Sequence, residues 1–267
     1  MVRVRILVAP DCFTGTLGAR AAAEAIAQGW RRGAPHDDVT LLPLADGGPG
    51  FLEVVHAALG GELVPVTVAG PLGDPTPALV LVVETAAGPT AYVESAQAVG
   101  LHLVPPVRRD PTRTTSVGLG ELLAAALDLA PSRVVVGLGG SATNDAGAGV
   151  LAGLGLAAPV LRAGGGALGE TTPADLDGLA ELRRRTAGVD LVAAVDVDVP
   201  LLGLHGASAG FAEQKGATPE QAQELERALG HLVDVVGSVV ADDGVRRDLL
   251  AAAPPRGGST GAAGRPG

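Results

Sequence analysis

Residues 137–149 read Gly-Leu-Gly-Gly-Ser-Ala-Thr-Asn-Asp-Ala-Gly-Ala-Gly and follow directly on the apolar run Val134–Val136. A strand that empties into glycine, hydroxyl and amide residues before a helix presents free backbone N–H groups at the positive end of a helix dipole. Such a place holds an anion, most often a phosphate. The candidate contacts are Gly139, Gly140, Ser141, Thr143, Asn144 and Asp145. Asp11, Asp46, Asp196 and Asp198 each follow an apolar strand and precede a loop. In a parallel α/β layer the C-terminal strand ends gather on one edge, where ligands bind. Carboxylates there can hold Mg²⁺ together with phosphate oxygens and water, or accept the proton of a substrate hydroxyl. Asp196 and Asp198 are two apart and share a face of an extended segment. The plainer reading of any one of these aspartates is a cap on the turn that follows it. Lys215 is the only lysine among nineteen basic residues, so it is the one side-chain ammonium that could meet a phosphate.

Several common chemistries fail on spacing. Gly137–Ala142 fits the loose dinucleotide pattern G-x-G-x-x-[G/A], but residues 156–168 contain no Asp or Glu to hold a ribose, which leaves a dinucleotide-dependent oxidoreductase as the weaker reading. A P-loop needs lysine directly after its last glycine, and the one lysine lies in Gln214-Lys215-Gly216-Ala217. Ser141 lacks the G-x-S-x-G surroundings of a hydrolase nucleophile. The five histidines and Cys12 show no zinc-ligand spacing, and Arg108-Arg109 reads as a solvated pair. Glycines in 137–149 could also serve only to let a turn pack closely. Against that stands their cost of about 1 kcal/mol each within a helix, which points to a functional reason for several of them.

The elements that must position these residues alternate in period. Val2–Ala9 and Val39–Leu44 read as strands, and 18–32 (with Ile26 and Trp30 on one side) and Leu52–Leu59 as helices. That rhythm predicts a parallel α/β layer. Leu63–Val68, Ala78–Glu84 and Ala91–Glu94 are separated by Pro/Gly turns, which predicts a mixed sheet. Helices are expected over Gly118–Leu129, 144–155 and Thr218–Val240, and strands over Arg133–Val136 and Leu191–Val195. The chain is 47% apolar with 2% aromatics, so its core must be built from Ala, Val and Leu. A net charge of −10 argues against nucleic acid or an anionic membrane surface as partner. No apolar run approaches the roughly 20 residues of a membrane span. The single cysteine excludes an internal disulfide and makes a reducing, cytoplasmic setting the default.

Taken in order, the motif blocks resemble the bacterial type I glycerate kinases. They are Ala9-Pro-Asp-Cys-Phe-Thr-Gly15, Leu42-Pro-Leu-Ala-Asp-Gly-Gly48, Gly70-Pro-Leu-Gly73, Arg109-Asp-Pro111, Thr114–Glu121, Gly137–Gly149, Asp196-Val-Asp198 with Pro200-Leu201, and Gln214–Ala217. The resemblance implies two α/β lobes with the active site between them. One is a Rossmann-like lobe built from both ends of the chain, and the other a mixed-sheet α/β lobe. Residues 1–61 would open the Rossmann-like lobe, 62–250 would form the second lobe, and 251–267 would be a disordered Pro/Gly-rich tail. The implied activity is transfer of the ATP γ-phosphate to D-glycerate with MgATP, at the 2-hydroxyl. Segment 137–149 would cradle a phosphate or the substrate carboxylate. Asp196 or Asp198 would hold Mg²⁺ or accept the hydroxyl proton, and Lys215 would contact phosphate. Asp11, Asp46, Gly47 and Gly48 would line the opposite wall.

The sequence departs from the family pattern at several positions. Cys12 and Thr14 stand where the family has Ser and Lys, Pro49 and Phe51 where it has Glu and Thr, and Val199 where it has Asn. Pro49 removes a carboxylate and a backbone donor together. Family members pass a Gly-Ala-Ala-Gly-Gly-Leu-Gly stretch and continue through further strands and helices, whereas Gly261-Ala-Ala-Gly264 here is followed by Arg265-Pro266-Gly267. This predicts an incomplete Rossmann-like lobe, a truncation or frameshift near that point, and an uncovered sheet edge that leads to poor solubility or a homodimer. The rival expectation is a degenerate family member that binds a small anion without turnover.

Overall fold

The computed structural model describes residues 3–13 and 15–240. Two parallel strands, β1 (Arg5–Val8) and β2 (Asp38–Leu41), run in register from Arg5↔Asp38 to Val8↔Leu41 and are joined by helix α1 (Ala19–Gly33). The buried side of α1 is Ala19, Ala22, Ala23 and Ala27, whose small side chains let the helix lie close to the strands. Ile26 and Trp30 lie on its exposed side, and the Trp30 indole donates to Asp37 (3.0 Å).

Helix α2 (Phe51–Leu59) leads into a five-stranded mixed sheet. Its antiparallel half is β3 (Glu62–Ala69), β4 (Pro75–Thr85) and β5 (Gly88–Glu94); β6 (Arg133–Gly137) and β7 (Asp190–Ala194) extend it in parallel with β5. Alternation along the strands assigns the two faces. Val80, Ala91, Val93 and Val134 meet helices α3 (Ala96–Val99) and α4 (Val117–Asp128) on one face. Leu81, Val83 and Tyr92 meet Leu52 and Val55 of α2 on the other. Thus α2 covers the larger sheet, although it precedes residue 61.

Between β6 and β7 lie α5 (Ala148–Gly153), a run of 3₁₀ turns and α6 (Leu179–Thr186). Here the structure corrects the sequence reading. The helix expected over 144–155 begins only at Ala148, because Ala146 (φ 48°) and Gly147 (φ 76°) turn the chain left-handed just before it. The glycines in α5 have a packing reason: a Cβ on Gly149 would lie 2.5 Å from the Val117 nitrogen, and one on Gly153 2.3 Å from the Val117 carbonyl. Gly120 of α4 is equally close to the Val150 carbonyl. Their cost is therefore offset by the contact of two helix backbones, and it is no argument for a ligand.

The chain continues through α7 (Ala207–Phe211) to α8 (Pro219–Val239), capped by a reciprocal Thr218–Gln221 pair. Leu229, Leu232 and Val235 of α8 pack with Ala148, Ala152, Leu161, Leu168 and Leu176 in a second core. β3 and β7 are the two edge strands of the sheet, and Leu191 and Val192 of β7 are exposed. The tail expected over 251–267 lies outside the described residues.

Candidate active site

The C-terminal ends of β5, β6 and β7 meet two loops from the start of the chain. Gly47 (φ 97°) sits so close to the end of β7 that a Cβ would lie 2.2 Å from the Ala194 carbonyl. A Cβ on Gly139 would lie 2.6 Å from Gly48 Cα, and one on Gly137 2.7 Å from the Gly47 carbonyl. Only glycine permits backbone to lie on backbone in this way. The Asp46 carboxylate accepts from Gly48 N–H (2.7 Å), which closes the Asp46–Gly48 turn. Cys12 Sγ lies 3.2 Å from the Pro49 carbonyl, so the loop that carries Asp11 joins the same wall. Asp11 itself accepts from Cys12 N–H.

The opposite flank of the glycine segment is held differently. Leu101 N–H donates to the Gly140 carbonyl and Ala142 N–H to the Val99 carbonyl, both at 2.7 Å. Asp145, 2% exposed, accepts from Ser116 N–H (2.7 Å), Ser116 Oγ (2.8 Å), Gly147 N–H (3.2 Å) and Gly149 N–H (3.3 Å). A single carboxylate therefore satisfies the N-terminal donors of α4 and α5 together. The anion at this helix start is the chain's own carboxylate. Asn144 donates to Ser208 Oγ (3.1 Å) and ties the segment to α7.

Lys215 reaches this flank from the loop before α8. Its Nζ donates to Ser141 Oγ (3.1 Å) and to the Thr143 carbonyl. Lys215 is 8% exposed, and burial lowers its pKa from 10.5 to about 8, opposed by the nearby Asp145 carboxylate. Gly216 makes this approach possible, because a Cβ there would lie 2.4 Å from the Arg109 carbonyl. Lys215, Ser141, Thr143, Asn144 and Asp145 line the polar end of a cavity of about 610 Å³. Leu119, Leu123, Val136, Leu138 and Leu191 line its apolar end. That size suits a small molecule.

Asp196 and Asp198 lie just past β7, two and four residues beyond the Ala194 carbonyl that receives Leu138 N–H (2.9 Å). Both are exposed, neither lines the cavity, and no hydrogen bond or ion pair among the described residues engages them. No group of three or more His, Cys, Asp or Glu side chains among the described residues is arranged to hold a metal. The structure thus brings Lys215 to the glycine segment from one side and Asp46–Gly48 from the other, whereas Asp196 and Asp198 follow the end of β7 and do not line the cavity. Thr14 lies outside the described residues.

Three site residues were missed from sequence. Ser116 is half of the Asp145 cap, and Ser95 lines the cavity with its Oγ 3.5 Å from Gly139 N–H. Glu94 ends β5 as a buried carboxyl. A charged residue ending an apolar strand was the available signal, and it was read for four aspartates but not for this glutamate.

A family model described as the glycerate kinase family matches residues 6–267. The chain is 42% identical over 237 residues to the protein named glycerate kinase of Bacillus subtilis (strain 168), which covers 87% of this chain and 61% of that protein. It is 38% identical over 238 residues to glycerate 2-kinase of Escherichia coli (strain K12), with the same two coverages, 87% and 61%. A crystal structure bearing the name glycerate kinase 2, from Salmonella typhimurium LT2, superposes with a TM-score of 0.74 at 39% identity, over 94% of this chain and 66% of that one. The chain spans about three fifths (61%) of the length of the curated relatives it matches. No helix among the described residues is long and apolar enough to cross a membrane.

Proposed function

The chain belongs to the glycerate kinase family, and on that premise we propose that it takes part in transfer of the ATP γ-phosphoryl group to D-glycerate, giving 2-phosphoglycerate. The observation that carries this reading is the lone lysine, fixed by Ser141 and Thr143 at the polar end of the cavity and beside the glycine segment. Phosphoryl transfer asks a protein mainly for positioning and for charge placed where charge develops. With a pKa of about 8 the Lys215 ammonium is charged at neutral pH, and its remaining N–H is available to a phosphate oxygen. The backbone of Gly139–Ser141 and of the Gly47–Gly48 turn, held close together by their glycines, would line up the two reactants. The apolar end of the cavity suits a nucleoside base and not a three-carbon hydroxy acid.

Asp196 and Asp198 make no hydrogen bond or ion pair among the described residues, and they fit the one or two carboxylates that Mg²⁺ uses beside phosphate oxygens. When bound, the ion would neutralise phosphate charge. Whichever of the two carboxylates is left unengaged would accept the glycerate hydroxyl proton. A second reading, an anion-binding family member without turnover, rests on Pro49. Its ring packs where a Cβ of Gly140 would lie (3.1 Å), and it puts no carboxylate at that wall. A coupled assay with D-glycerate and MgATP separates the two. Turnover that is lost in Asp196→Ala and Lys215→Ala supports the kinase. Folded protein that binds phosphate and never turns over supports the second reading.

A further inference from the structure

Helix α2 starts without a cap of its own. Its N-cap residue is Gly50 (φ 94°), which offers no side-chain oxygen to the first free N–H groups. The helix must nonetheless be anchored, because the Asp46–Gly48 turn runs straight into it and lies on the ends of β6 and β7. Glu94, 6% exposed, supplies the missing acceptor. Its Oε2 accepts from Leu52 N–H (3.0 Å), and the Gly50 N–H also points at the carboxylate.

Strand register explains how it reaches. Glu94 is paired with Gly137 on β6, and the place of a Gly137 side chain is filled by the Phe51 ring, 2.6 Å from a notional Cβ. The glutamate and the bare glycine thus form a socket and an acceptor side by side for the first turn of α2. The next residue, Ser95, donates its N–H to the Gly137 carbonyl (2.9 Å), so the acceptor stands on a strand end that is itself fixed to the glycine segment.

We infer that Glu94 is the positioning residue of the Asp46–Gly48 wall: its carboxylate caps α2 from the end of β5 and so fixes where the Gly47–Gly48 turn lies against Gly139 and Ala194. Burial holds the Glu94 carboxyl above its ordinary range, against the lowering effect of the Leu52 and Gly50 N–H groups. His102, on the segment after α3, lowers it further, and Glu53 on α2 raises it. Because the capped, buried state takes up the proton more readily than an open one, acid does not release the cap through Glu94, and the role rests on the acceptor geometry alone.

The test uses Glu94→Gln, which keeps the shape and removes the charge, with Glu94→Asp as a second variant that keeps the charge and shortens the reach. Native-state amide exchange, expressed as protection factors, reads residues 50–54 against α8 in the same sample. Glu94→Gln, which sets an amide N–H₂ against the helix donors, should lower protection at 50–54 at least tenfold and leave α8 unchanged. Equal protection at 50–54 in both proteins, or an even fall that includes α8, would overturn the inference. Glu94→Asp should restore part of the protection, and a variant no better than Glu94→Gln counts against it. A kinetic arm rests on the kinase reading: KM for D-glycerate should rise in Glu94→Gln by more than kcat falls. If the wild type shows no turnover, the kinase reading fails while the exchange experiment still decides the role of Glu94.

Discussion

The glycine segment has two flanks, and they are built on opposite principles. On the Lys215 side every charge has an internal partner: Asp145 takes four donors and Lys215 donates to Ser141 and Thr143. On the other side the backbone is pressed together through Gly47, Gly48 and Gly139, yet Asp196 and Asp198 stand exposed with no hydrogen bond or ion pair among the described residues. The first flank is preorganised by the fold. The second leaves two carboxylates to solvent and so open to a ligand. Folding stability should therefore reside in the first and ligand dependence in the second.

The sharpest way to break that contrast is to delete a carboxylate on each side. Asp145→Ala strips the cap from two helices and leaves their donors buried, and it should cost about 4 kcal/mol in urea denaturation. A loss below about 1 kcal/mol would show that the first flank is not a structural keystone. A pH experiment probes the same flank. Lys215 has a folded pKa of about 8 against 10.5 ordinarily, so the unfolded chain holds more protons between those values. Stability should then rise as pH goes from about 8 to 10.5, by up to about 3 kcal/mol, and the rise should be absent in Lys215→Met.

A smaller effect concerns strain. Ala146 (φ 48°) and Ala130 (φ 51°) hold a left-handed conformation that costs a side chain about 1 kcal/mol. Ala130→Gly, at the exit of α4, should stabilise the protein by about that amount. Ala146→Gly should do the same unless the loop before α5 relaxes once freed, which a lowered melting temperature would reveal. The smallest stability effect belongs to the second flank. Asp196→Ala should change the unfolding free energy by less than about 0.5 kcal/mol while removing turnover with MgATP and D-glycerate.

How much of this was legible in the sequence follows the range of the interactions. Strand alternation in 78–94 and the Thr218-Pro219-Glu220 helix start are local signals, and both elements formed where they were read. The start of α5 was misplaced because Ser141–Asp145 has the composition of a helix cap. Asp145 does cap, but the N-termini it serves include that of α4, 29 residues earlier in the chain. Gly149 and Gly153 looked functional because their cost was visible and their benefit, contact with Val117 and Gly120, was not. Glu94 escaped for the same reason: its partner Leu52 is 42 residues away.

One measurement goes to the centre of the account, that Lys215 is a prearranged phosphate contact. Since the chain has a single lysine, ¹⁵N-lysine labelling gives one side-chain ammonium resonance to titrate by NMR, with and without ATP. The account predicts a pKa near 8 in the free protein and an upward shift when the nucleotide's phosphates bind. A pKa near 10.5 in the free protein, or one that ATP leaves unmoved at saturation, would contradict it.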